Sequence, residues 1–247
     1  MKQEQPQLQL RQQSQELQPN YESPEQSNGE QERSPNNDSY SQHIGDTHDT
    51  ETIQPSILYY GTPVMMLSTL NEDGSTNLSP LSSSWALGDC LVLGIGIQGK
   101  AYENLMRHPE CVVNLPEASM WKQVEVLGKF TGVTPVPEAK QQMGYTFCQD
   151  KFNATELTPQ NSVEVVPQRI AECPIQIEAS VQHIRIPEHT PYMAIVEVKA
   201  MKVHAHSKII SGTNKINPEA WRPLIYNFRH YYGLGAKCGE NFRAEKV

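Results

Sequence analysis

Asn77–Pro116 reads NLSPLSSSWALGDCLVLGIGIQGKAYENLMRHPECVVNLP, and it decides the fold. A hydroxyl cluster (Ser82, Ser83, Ser84) is followed by an apolar strand, Cys90–Ile97, suited to burial on both faces. A glycine-rich turn then carries Lys100, a short helix runs over Ala101–His108 and stops at Pro109, and a second strand covers Cys111–Leu115. Strand, glycine turn, lysine and helix start in that order suit the binding of a phosphate-bearing group. Backbone N–H groups at a helix N-terminus and a nearby lysine both attract anions.

Working outward, Ile57–Leu70 reads as a strand that ends at Asp73-Gly74, a hairpin signal, with Asn77–Ser84 as the return strand. Downstream, Ser119 is placed to cap a helix through about Leu127, with Trp121, Val124 and Leu127 along one side. Residues 131–170, rich in Pro, Gln and Thr, read as an excursion from the main sheet, not as a second domain. Two long alternating strands follow. The apolar phase slips at Gln182-His183 in the first and at Ala200-Met201 in the second, which predicts β-bulges that bend a sheet toward closure. Asn217, with Pro218 after it, predicts a capped helix over Asn217–Phe228. Strands dominate, so the fold class is mainly β: a β-barrel with short flanking helices.

The first 50 residues differ from the rest. They hold 11 Gln, and 3 Lys/Arg against 9 Asp/Glu, so most of the net charge of −8 resides there. So polar a segment cannot bury enough apolar surface to offset its ordering entropy, and residues 1–50 are expected to be a disordered tail. That tail lacks the order of a signal peptide, and residues 51–247 are expected to form one domain. The near-neutral body has no basic stripe, which argues against a nucleic-acid partner. No apolar run approaches the length of a membrane helix. Five scattered cysteines without a Cys-x-x-Cys pair argue against zinc or a disulfide framework, and free thiols suit a reducing cytoplasm.

Three short motifs compete for the turn. Gly94-x-Gly96-x-x-Gly99 has the form of a dinucleotide fingerprint, but the following helix is short for a Rossmann crossover and no strand–helix alternation follows. Gly94 to Lys100 also reads G-x-x-x-x-G-K, yet Ala101 stands where a P-loop needs a hydroxyl. A plain turn with a solvated lysine is the third reading. His204 and His206 on one strand suggest a metal pair, but no third ligand is near them in sequence and solvated histidines are the simpler reading, so no metal site is expected.

Taken in order, the pieces resemble the flavin reductase-like family of FMN-binding split barrels. Asp73-Gly74 stands for its hairpin turn and Asn77-Leu78-Ser79-Pro80 for its N-L-A-P segment. Lys100-Ala101-Tyr102-Glu103-Asn104-Leu105 stands for K-T-x-x-N-[LI], and Val113-Asn114-Leu115 for its V-N-L strand. The likeness runs from about Pro55 to Gly235, and the segment 121–170 resembles an inserted region found in a subgroup. The resemblance implies a flavin site built from Asn77, Ser79, Ser82, Ser83, Ser84, Gly99 and Lys100, with one phosphate hydroxyl lost at Ala101. The stretch Asn227–Gly233 resembles the family's charged, aromatic tail. This implies that Arg229 and Tyr231 border the flavin and that His230 serves the hydride step; packing on the barrel or on a dimer partner is the other reading of that stretch. FMN, with FAD as the alternative, and NAD(P)H as co-substrate are the implied cofactors. The implied activity is hydride transfer from NAD(P)H to flavin, with electrons passed to a flavin-using monooxygenase or another acceptor. A non-catalytic FMN-binding or electron-relay protein is the alternative. A cytoplasmic homodimer with the flavin near the subunit interface completes the expectation.

Overall fold

Sixteen strands and four α-helices alternate unevenly along the residues that the structure, a computed structural model, describes, 50–244. The chain from Ile57 on forms one unit. Its strands begin with β1 (Tyr60–Pro63), β2 (Met65–Leu70), β3 (Thr76–Leu81), β4 (Ser84–Leu87) and β5 (Cys90–Gly96). Helix α1 (Lys100–Arg107) leads to β6 (Glu110–Leu115), and a 3-10 turn leads to α2 (Trp121–Gly128). The excursion holds β7 (Phe130–Thr131), α3 (Glu138–Gln142), β8 (Thr146–Phe147), α4 (Lys151–Ala154), β9 (Pro159–Gln160) and β10 (Arg169–Ile170). The long strands β11 (Ile175–Arg185) and β12 (Met193–Ala205) follow, then β13 (Ile210–Ser211), β14 (Lys215–Ile216), β15 (Ile225–Asn227) and β16 (His230–Tyr232).

Seven strands make one antiparallel sheet in the order β3-β2-β6-β11-β12-β5-β4. It is the split barrel expected from the sequence. Both predicted bulges are present. Between β11 and β12 the register skips Met201, between the pairs Glu178↔Lys202 and Ala179↔Ala200, and skips Gln182, between Val181↔Val198 and His183↔Glu197. Extra residues on both long strands sharpen the local twist and curl the sheet.

Strand β2 is buried on both faces because it divides two cores. Met65 and Leu67 join Leu93, Ile95, Val113 and Val196 in the barrel core, with Ala101 and Leu105 of α1 over it. Val64 and Met66 join Leu78, Val124, Leu127, Phe152 and Leu224 in a second core under α2 and the excursion. Each such Leu, Ile, Val, Met or Phe side chain, fully buried, stabilises the fold by roughly 1.5–3 kcal/mol.

Four local expectations are corrected. Ile57–Leu70 is two strands in different sheets, since β1 pairs with β15 and β2 with β3 and β6. The return strand breaks at Ser82-Ser83. Strand β5 alternates, with Leu91, Leu93 and Ile95 buried and the residues between them half-buried or exposed. Ser119 does not cap α2; its hydroxyl donates to Glu117, and Met120 occupies the cap position without a side-chain bond. The expectation of disorder for residues 1–50 falls, Thr50 apart, outside the described residues.

Candidate functional site

The serine cluster lies where the chain leaves β3 and enters β4. Ser83 is held by its backbone, whose carbonyl accepts from Gly94 N–H at 2.7 Å. A Cβ on Gly94 would stand 2.9 Å from the Ser83 Cβ, so the close approach of the serines to β5 requires glycine there. The Ser83 hydroxyl donates to the Tyr59 hydroxyl at 2.9 Å, while Ser82 and Ser84 are half-buried.

On β3, Asn77 and Ser79 share the strand face opposite Leu78. The Asn77 amide donates to Ser79 Oγ at 3.1 Å and to Thr69 Oγ1 at 3.3 Å. Across from them α1 begins. Gly99 occupies the cap position, its N–H bonded to Gly96 O at 3.1 Å, and no side chain caps the helix. The first N–H groups of α1 therefore keep the donor character that suits an oxygen ligand. Lys100 is less open than its place in the sequence implied. Its ammonium sits 2.9 Å from Glu72 and 3.3 Å from Glu103. Burial pushes that ammonium's pKa down, but bonds to Glu72 and Glu103 outweigh it and hold it above the usual lysine value. Ala101 packs in the barrel core, so the hydroxyl missing at that position is replaced by an apolar contact.

The excursion covers this corner. A Cβ on Gly132 would lie 2.8 Å from Asn77 Oδ1 and 3.0 Å from Lys100 Cγ, which fixes how closely Asn77 and Lys100 face each other. Lys140 donates to Gln98 O at 2.8 Å in the glycine turn. Lys151, at the start of α4, donates to Asn77 Oδ1 and to Leu78 O, both at 2.8 Å. A cleft of about 220 Å³ remains, lined by Asn77, Lys100, Gly132, Phe147 and Cys148 and also by the carboxylates Glu72 and Asp73. The donor set at this corner is the helix-start N–H groups, the Ser79 hydroxyl beside Asn77 and one lysine paired with Glu72 and Glu103, while Ser83 bonds Tyr59 instead. It fits an oxygen-rich group such as a flavin phosphate, read through hydrogen bonds more than through net charge.

The C-terminal stretch departs from expectation. Asn217–Phe228 is not a helix. Asn217 starts a single turn, and Ile225–Asn227 pairs with β1 and β16 because Tyr226 and its neighbours meet a sheet edge that a helix would leave open. Phe228 and Arg229 form the two-residue turn of the β15–β16 hairpin with φ of 44° and 69°, a backbone usually given to Asn and Gly. His230 is exposed, its Nδ1 2.9 Å from Phe228 O. The Tyr231 hydroxyl donates to Glu125 at 3.2 Å. Its ring lies 6.3 Å from Trp121 and 5.5 Å from Tyr226, whose ring is 5.3 Å from Tyr59. Tyr59 thus ties the hairpin to Ser83. The structure joins Asn77, Ser79, Gly99 and Lys100 at one corner, and Ser83 to the hairpin through Tyr59. The Tyr231 hydroxyl turns to α2 instead of the serines.

Neither histidine of the suggested metal pair is free. His204 Nε2 lies 2.6 Å from Glu178 on the neighbouring strand and His206 Nε2 lies 2.9 Å from Ala171 O, just after the excursion. Among the described residues no cluster of three or more His, Cys, Asp or Glu is arranged for a metal, and no helix is long and apolar enough to cross a membrane. Sequence reasoning missed Tyr59, Gly132 and Lys151. A lysine in a polar stretch carries no mark of burial; only Asp150 before it, the cap of α4, hinted at an ordered turn.

Comparison with known proteins assigns residues 57–235 to the family described as flavin reductase like domain. The uncharacterized protein YdfE of Bacillus subtilis (strain 168) is 53% identical over 200 residues, covering 81% of this chain and 97% of that protein. Among solved structures, flavoredoxin of Desulfovibrio vulgaris (Miyazaki F) superposes with a TM-score of 0.66 at 17% identity, covering 79% of this chain and 99% of that one. Nitrilotriacetate monooxygenase component B from Bacillus cereus gives 0.59 at 17% identity, covering 75% and 89%.

Proposed function

The chain belongs to the flavin reductase like domain family, and on that premise we propose that this flavin-related oxidoreductase binds FMN and draws its electrons from NAD(P)H. The observation that carries the reading is the Asn77–Ser79 pair set against the uncapped start of α1 at Gly99 and Lys100. Bound flavin supplies the hydride chemistry, and the chain supplies position. Hydroxyls of Ser79, Ser82, Ser83 and Ser84 and the helix-start N–H groups orient an oxygen-rich ligand. Arg229, His230 and Tyr231 form the edge where a nicotinamide is received, with His230 as the group that positions it. The electrons pass to an acceptor, in the simplest case a flavin-using monooxygenase.

The reading includes a homodimer. Trp85 (57% exposed) and Leu87 (78%) lie on the edge strand β4 beside the serines, and interfaces favour aromatic side chains. A cytoplasmic setting is part of it too, supported by five free cysteines.

The test is the visible spectrum of protein loaded with FMN or FAD and freed of excess flavin, followed by anaerobic NADH and NADPH. Retained FMN that one nucleotide bleaches is the expected result. Retained flavin that neither nucleotide bleaches would leave an electron-relay protein, and no retained flavin would refute the reading.

A further inference from the structure

We propose that Lys151, supplied by the excursion, is a positioning residue for the flavin site: it fixes the Asn77 amide so that the Ser79 hydroxyl is left to donate to the ligand. The inference rests on the flavin reading above.

The side chain of Lys151 is among the largest fully buried in the molecule, and its residue is 2% exposed. Its ammonium meets two neutral oxygens at 2.8 Å, Asn77 Oδ1 and Leu78 O. A buried ammonium facing only neutral groups is costly, and an apolar side chain would fill the space without that cost. What the ammonium adds is direction. The two ends of an asparagine amide have nearly the same shape, and their partners decide which way it points. An ammonium has donors only, so the end it meets must be oxygen. Nδ2 is then turned to Ser79 Oγ at 3.1 Å and Thr69 Oγ1 at 3.3 Å. Ser79 receives that bond as an acceptor, and its one O–H remains to donate away from Asn77. With the amide reversed, Asn77 would present oxygen to Ser79 and consume that hydrogen. Lys151 therefore sets the hydrogen-bonding sense of a serine it does not touch.

The main chain at Lys151 is held without the ammonium. Asp150 Oδ1 accepts from Asn153 N at 3.1 Å, and the Thr155 hydroxyl donates to Lys151 O at 2.6 Å. Removing the charge therefore leaves the turn its own bonds.

The experiment is FMN titration, followed by quenching of flavin fluorescence, of wild type, K151M, S79A and the double variant. Each single change is expected to weaken FMN binding by about tenfold, and the double by no more than either single. A merely structural lysine would instead give losses that multiply to about a hundredfold, and that result overturns the proposal while leaving the flavin site standing. Unchanged affinity in S79A overturns it without need of K151M, should that variant not fold. No binding of FMN or FAD by wild type overturns both the flavin reading and this inference.

Discussion

Removing the Glu178 carboxylate should unfasten the excursion from the barrel. Glu178 stands on β11 with no exposed surface. It accepts from the backbone N–H of Val163 at 2.9 Å, Glu164 at 2.6 Å and Val165 at 3.2 Å, and His204 lies 2.6 Å away. A hydrogen bond to a charged group stabilises by about 1.5–3 kcal/mol, but residues 163–165 lie near the surface and water would recover part of the loss. Glu178→Ala should therefore cost about 2–4 kcal/mol in all, lowering Tm by roughly 4–16 °C for a domain of this size. Glu178→Gln, which keeps one acceptor oxygen for these N–H groups but loses the charge, should cost less, about 1–2 kcal/mol. Hydrogen exchange locates the effect: the amides of 163–165 should lose protection at neutral pH, while Val181, bonded to Pro109 O, should keep it. The pH dependence has a definite sign. Burial pushes this carboxyl up, but the N–H groups of Glu164 and Val163, then His204 and Val165, outweigh it and hold it below the usual carboxylate value. Its contribution is thus fully present above the unfolded value near 4.5 and is lost only as pH falls through the lower folded value. Unchanged melting and unchanged protection in Glu178→Ala would refute the reasoning.

Three further outcomes are expected. Gly94→Val should displace Ser83, costing about 1–3 kcal/mol by denaturant unfolding and weakening flavin retention, because no side chain fits between the strands there. Burial, with Lys140 adding repulsion and Cys148 opposing it, lowers the Lys151 pKa to about 8; the unfolded chain then binds more protons, so stability should rise by up to about 3 kcal/mol between pH 8 and 10, a slope that Lys151→Met removes in urea titrations at stepped pH. Phe228→Asn should raise stability by about 0.5–1 kcal/mol in thermal unfolding, since asparagine tolerates a φ of 44° better than phenylalanine.

The barrel was legible because its signals are local and repeated. Two phase slips in alternating strands gave both bulges, and Lys100–Arg107 lies between a glycine turn and a proline as helix rules require. The tail was not legible for the same reason. Asn217-Pro218 is a sound helix start, but Ile225–Asn227 finds an unpaired strand in β1, a partner distant in sequence that outweighs local preference. At the site, Asn77, Ser79 and the Gly99–Lys100 turn could be named because they lie on consecutive elements. That Lys100 would be met by Glu72 could not, since the pairing depends on how the β2–β3 hairpin folds over α1. Lys151 and Tyr59 reach the site from segments whose composition says nothing of it.

The excursion is therefore better understood as part of the site than as an appendage. One end is pinned by two carboxylates, Glu178 taking Val163–Val165 and Glu110 taking Val166 N–H at 2.9 Å, each with a histidine beside it. The other end reaches Asn77 through Lys151 and the glycine turn through Lys140. The anchors are carboxylates gripping several backbone N–H groups, which leaves little freedom at that end. At the site Lys151 bonds both Asn77 Oδ1 and Leu78 O, Gln149 donates to Asp73 at 2.8 Å and Lys140 makes one bond to Gln98 O, so this end has ties of its own. The excursion thus joins the Glu178 anchor to the Asn77 amide, and Glu178→Ala is expected to weaken FMN binding at the proposed site only as far as it shifts Lys151, which FMN titration of that variant reads out.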